Sequence, residues 1–138
     1  MDPFTIATTA LSLAGTITKV SLTVNTFVRT VREARNDLDA VSRELLSLKT
    51  VLELLADDAN HAPSDKPIPP NLEKQIKGII NNCDGVVNDV AALLRKHEGG
   101  IVNGIKWAIS GKDDVVRLRS NLEAHKTALE LALDMVAL

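Results

Sequence analysis

The amino-terminal stretch constrains this chain most. Between Pro3 and Thr18 lie 16 residues without a formal charge, and as far as Val28 only Lys19 interrupts. Stepped at about 100° per residue, Ile6, Ala10, Leu13, Ile17, Val20, Val24, Val28 and Val31 fall on one stripe, which predicts an amphipathic helix. The opposite face holds Thr5, Thr8, Thr9, Ser12, Gly15, Thr16, Thr23 and Thr26, with Lys19 alone among them. A surface helix usually carries Lys and Glu there. Hydroxyls can instead bond back to the carbonyls of their own helix, so such a face costs less in apolar surroundings than charges would. Two readings follow. One is a central bundle helix, buried on most sides and short of charge for that reason. The other is a helix that packs in the resting bundle and can leave it for a membrane. The charge-free run would be roughly 24 Å long at about 1.5 Å per residue, short of the roughly 30 Å hydrocarbon core. A constitutive span is excluded; conditional insertion, as an oligomer, stays open.

The remainder reads as charged, periodic helix. With 138 residues the chain suits a single domain over 1–138, and its 2% of aromatic residues leaves Val, Leu, Ile and Ala to build a closely packed helical core. Asp2 is placed as N-cap with Pro3 at the first helical position, and the helix is expected over about 3–33. No Gly or Pro lies between Val20 and Asp58, so the turn is set near Ala34 to Asn36, with Asn36 as the next N-cap. The second helix, about 37–58, carries Leu38, Val41, Leu45, Leu48, Leu52 and Leu55 as its seam, widened by Leu46, Val51 and Leu54. Asp57 to Pro70 holds four of the five prolines and reads as an exposed loop. The third helix, about 71–97, has the seam Leu72, Ile76, Ile79, Cys83, Val86, Val90, Leu93 and His97; Gly78 and Gly85 weaken it or admit a close neighbour. Gly99 and Gly100 stop it. A short helix over about 101–109 is expected across one end of the bundle. Ser110 and Asp113 then resemble a capping box for a last helix over about 111–137, seamed by Val115, Leu118, Leu122, His125, Leu129, Ala132 and Val136. The expected fold is all-α, a four-helix bundle with one short additional helix.

Chemistry is hard to find in this pattern. His61, His97 and His125 lie on a loop, a helix end and a seam, and none has a partner at metal-ligand spacing. No phosphate loop is present, and Asp113 and Asp114 read as carboxylates favoured at a helix start. Lys74, Lys77, Arg95 and Lys96 read as solvated helix faces. With no convergent polar set, the chain is expected to be a non-enzyme without metal or cofactor. A net charge of −2 and no basic stripe argue against nucleic acid. The single Cys83 falls on an apolar helix face, as a buried, inert thiol in a reducing setting would. Asp2 stands where a secretory signal needs basic residues.

Two blocks carry a resemblance. Met1-Asp2-Pro3-Phe4, followed by the Ala/Ser/Thr/Leu helix with Gly15 and Lys19, resembles the N-terminal domains of fungal STAND (NLR-like) receptors and ankyrin-repeat proteins. Trp107-Ala108-Ile109-Ser110-Gly111-Lys112, continuing through Leu118, Leu122, Glu123, His125, Lys126, Leu129 and Leu133, is similar to the HeLo-like branch of fungal cell-death domains. The resemblance implies a helical bundle that executes programmed cell death in fungal innate immunity and heterokaryon incompatibility. It implies that the N-terminal helix targets and permeabilises the plasma membrane after a receptor or amyloid-type domain, in cis or in trans, drives oligomerisation. Pro3, Phe4, Ile6, Leu11, Leu13, Ile17 and Val20 would then form the membrane-active helix. Lys19, Arg29 and Arg32 would be candidate contacts to anionic lipid. Trp107, Lys112, Leu122 and His125 would be the structural signature. The implied localisation is cytoplasmic at rest and plasma membrane on activation. Two other classes stay open: a helical module that docks a protein partner without touching membrane, and a bundle that carries a lipid in its core.

Overall fold

The computed structural model describes residues 3–61, 68–97, 107 and 111–137. Four long helices make up the described residues, with no strand among them: α1 (Pro3–Thr30), α2 (Arg35–Asn60), α3 (Pro70–Lys96) and α4 (Lys112–Ala137). The all-α bundle expected from the sequence is the fold observed. α1 packs against α2 and α3, and α4 packs against the same two helices on the other side. The first and last helices therefore sit diagonally across the bundle.

Why these segments are helical follows from where their apolar residues fall. The α2 seam of Leu38, Val41, Leu45, Leu48, Leu52 and Leu55 is wholly buried, as its alternating spacing of three and four requires. Val51 joins it, but Leu46 and Leu54 do not: they are 54% and 49% exposed, because they fall on the flank away from both neighbours. In α3 the buried line is Ile76, Ile80, Cys83, Val87, Val90 and Leu94, flanked by Val86 and Leu93. Leu72 and Ile79 are only partly covered, so the true seam lies slightly round the helix from the expected one. α4 contributes Val115, Leu118, Leu122, Leu129 and Ala132 to the core, with Val136 packed at its edge.

Boundaries differ where turn chemistry was subtle. The first helix ends at Thr30, three residues before the expected limit, and a short 3-10 turn, Arg32–Ala34, leads directly into α2. Asn36 is not the N-cap; Ala34 holds that place without a side-chain bond, and Asn36 lies inside the helix. The tight turn makes a side-chain cap unnecessary for its own closure: the Ala34 amide donates to the Val31 carbonyl at 3.1 Å, and the Arg35 amide to the Arg32 carbonyl. α2 runs two residues further than expected, to Asn60. α3 opens with Pro70 at its first turn, and the Glu73 amide reaches the Pro69 carbonyl at 3.0 Å. Gly78 and Gly85 admit no close neighbour: a methyl at either would meet nothing within 4 Å. The short helix expected at 101–109 lies outside the described residues except for Trp107, as do Asp2 and Ser110.

Trp107 gathers the helix ends at one pole of the bundle. Its ring lies 5.6 Å from Phe27, in the last turn of α1, and 5.3 Å from His97, just past α3. Its indole N–H donates to Asp37, in the first turn of α2, at 2.9 Å. Gly111, next to the start of α4, lies so close that a methyl there would fall 2.5 Å from the indole ring. The ends of α1 and α3 and the starts of α2 and α4 thus meet around one buried indole, so the helices run alternately up and down.

Candidate functional site

Two surfaces stand out once the core is subtracted. The first is the outer face of α1. Ile6, Ala10, Leu13, Ile17, Val20, Val24 and Val31 are buried as the stripe predicted, joined by Ala7, Ala14 and Phe27, while Val28 is partly covered. The face opposite is open to solvent: Thr8, Ser12, Gly15, Thr18, Lys19, Thr23 and Thr26 are exposed. The central-helix reading, in which charge is scarce because the helix is buried on most sides, is thereby corrected. Among the described residues α1 packs chiefly against α2 and α3, and its outer side faces water with Lys19 as its one charge before the last turn.

The hydroxyls on that side are largely spent within the helix. Thr16 donates to the Ser12 carbonyl at 3.2 Å, Thr18 to Ala14 at 3.2 Å, Thr23 to Lys19 at 3.1 Å and Thr26 to Leu22 at 3.1 Å. Each is a bond from residue i to i−4 that hides a donor from the surroundings. Leu11 and Leu22, 49% and 62% exposed, add apolar area to the same helix. Among the residues implied to be membrane-active, Ile6, Leu13, Ile17 and Val20 belong to the core, Leu11 faces outward, and Pro3 opens the helix. The Phe4 side chain is outside the described set. No helix among the described residues is long and apolar enough to cross a membrane.

The second surface is basic. Arg29 ends α1, Arg32 lies in the 3-10 turn and Arg35 starts α2; with Val28 they line a cleft of about 410 Å³. All three arginines are exposed, and among the described residues none of them makes a side-chain ion pair. The structure thus brings Arg29 and Arg32 together, adds Arg35, which was not among the expected lipid contacts, and leaves Lys19 apart. Lys19 lies ten residues before Arg29 on the same helix, roughly 15 Å along its axis. A second groove, about 330 Å³ between α3 and α4, is different in kind. There Asp114 consumes the cations, pairing with Lys96 at 3.5 Å and Arg117 at 3.2 Å.

The signature residues divide by role. Trp107 and Leu122 are buried, His125 is half-buried and Lys112 is exposed at the start of α4. Cys83 is buried, and burial pushes its thiol up to about 12 from the usual 9.0. One polar group was invisible to sequence reasoning: Glu73, placed in the core of α3 with its Oε1 lacking a hydrogen-bond partner. No group of acidic, His or Cys side chains among the described residues could hold a metal ion. Comparison with known protein families, with curated proteins and with solved structures finds no match to this chain.

Proposed function

We propose that this chain is a membrane-targeting signalling domain, of the cell-death-executing kind that its sequence resembles, in which α1 is the membrane-active element after oligomerisation. The observation that carries the reading is the outer face of α1, exposed to water with Lys19 as its one charge, and with four of its threonine hydroxyls bonded to the helix's own carbonyls.

Energetics explain why that face matters. α1 buries six large apolar side chains: Ile6, Leu13, Ile17, Val20, Val24 and Phe27. At about 1.5–3 kcal/mol each, withdrawing them costs on the order of ten kcal/mol or more. That is comparable to the whole stability of a typical domain. Transfer of the same side chains into hydrocarbon returns a similar amount, so the inner face leaves the exchange nearly balanced. The outer face then decides. A charge held at the bilayer centre costs about 2.5–3.5 kcal/mol, and α1 offers only Lys19 before its last turn. Clustering by an attached receptor or amyloid-type domain would supply the remaining bias, by raising the local concentration of neighbouring α1 helices. The resting state in this scheme is a cytoplasmic bundle, and the activated state lies at the plasma membrane with anionic lipid and further copies of the chain as partners.

Deleting α1 would destroy the core, so the test is to charge its outer face. Ser12→Lys with Thr23→Lys places two cations on exposed positions and leaves the packed stripe intact. The artificially clustered parent should release dye from anionic liposomes. The double variant should bind those liposomes at least as well, through added positive charge, while its leakage falls about tenfold or more. Equal leakage from both proteins would refute insertion of α1. Absence of leakage from the clustered parent would turn the reading to the docking module, with the same face covered by protein.

A further inference from the structure

The geometry points to a phosphate-binding site in the cleft of Arg29, Arg32 and Arg35, and we propose that its ligand is a phosphomonoester group. Three features of the molecule lead there. The first is concentration of charge: three arginines from three consecutive elements line one cleft of about 410 Å³, with half-buried Val28 in its wall. None of the three is spent on a carboxylate. Glu33, the acid of the turn, is exposed and is not among the residues that line the cleft.

The second feature is independent of the arginines. A helix start carries partial positive charge and favours an acidic or hydroxyl cap. The start of α2 has neither: its N-cap is Ala34, and the N-cap of the 3-10 turn is Val31, with no side-chain bond at either. The third feature concerns Asp37, the acid in the first turn of α2. Its Oδ2 is committed to the buried indole of Trp107 at 2.9 Å. The turn closes on its own backbone bonds, so no side chain of this segment places a negative charge against its arginines. An external anion in the cleft would pair with them.

Phosphate fits better than carboxylate. A phosphomonoester has three terminal oxygens and close to two negative charges, and guanidinium forks pair such oxygens two at a time. The source of the group can be a lipid headgroup or a small soluble phosphate. The lipid source rests on the membrane reading above; binding of the soluble group does not, which keeps the two proposals separable.

The experiment titrates the intact chain with sn-glycerol 3-phosphate by NMR shift perturbation. In parallel it measures sedimentation with phosphatidylcholine vesicles that contain or lack phosphatidic acid. The variants are Arg32→Gln with Arg35→Gln, the corresponding pair to Lys, and Arg119→Gln, an exposed residue of α4, as a control outside the cleft, each checked for helix content by circular dichroism. The parent should bind glycerol phosphate with shifts centred on residues 28–36, and the Gln pair should weaken binding at least about tenfold. The Lys pair should recover part of that loss, since it restores charge but not the fork. Arg119→Gln should leave the affinity unchanged. Phosphatidic-acid-dependent sedimentation lost in the Gln pair would identify the lipid as source; soluble binding without vesicle binding would identify a free phosphate. Failure of glycerol phosphate to bind at tens of millimolar, or binding that the Gln pair leaves intact, would overturn the site, whatever the liposome-leakage result.

Discussion

Trp107 and Asp37 stand 70 positions apart and join two segments that share no local pattern. A buried indole N–H without a partner costs about 1–3 kcal/mol, so Asp37→Ala should lower stability by about that amount. Asp37→Asn, which keeps an acceptor oxygen, should lose less; urea denaturation of both variants measures the difference. Gly111→Ala should be worse than its small size suggests. The added methyl would fall 2.5 Å from a ring already packed against Phe27 and His97, so either the indole or the start of α4 must shift. A loss of about 1–3 kcal/mol is expected from such overpacking, and restored stability in a variant that also carries Trp107→Leu would identify the clash as its cause. Cys83 follows a different logic. Its thiol is held protonated by burial, with pKa about 12 in the fold against 9.0 outside it. The unfolded chain therefore sheds this proton first as pH rises, and the thiol's contribution to stability declines between about pH 9 and 12. Below pH 9 it adds no slope. A thiol reagent at pH 8 should react with Cys83 only as fast as the bundle opens, and Cys83→Ala should remove part of the alkaline decline.

At the level of elements, the sequence was most legible where a helix has one well-defined buried side. The α2 seam could be read residue by residue because its leucines alternate cleanly with polar positions. The α3 seam was read slightly off, since apolar residues at both 79 and 80, and at both 86 and 87, allow two neighbouring stripes. Only the positions of α1 and α4 choose between them. The turn between α1 and α2, expected near Ala34 to Asn36, comes slightly earlier, and its 3-10 geometry carried no local signal; the spacing of Arg29, Arg32 and Arg35 was visible in the sequence, but their shared cleft follows from that geometry. Of the two readings open for the glycines of α3, a weakened helix fits and a close neighbour does not. Both face solvent inside a regular helix, where glycine costs about 0.5–1 kcal/mol relative to alanine. Gly78→Ala and Gly85→Ala should each stabilise the bundle by roughly that amount, and together nearly additively, as thermal denaturation would show. A destabilised double variant would mean that this face of α3 is covered in the functional assembly.

The whole molecule is a bundle whose first connection is its shortest. α1 and α2 are joined through a three-residue 3-10 turn and pack against each other extensively, whereas the two later connections are longer. Loop closure is cheapest for that first pair, and contacts close in sequence form fastest. On a ribosome, which releases the chain from its amino end, the pair can assemble once Asn60 has emerged, well before α3 and α4 exist to complete the core. The apolar stripe of α1 then acquires its first partner during synthesis itself. A newborn copy thus has much of that stripe covered before the rest of the molecule has been made.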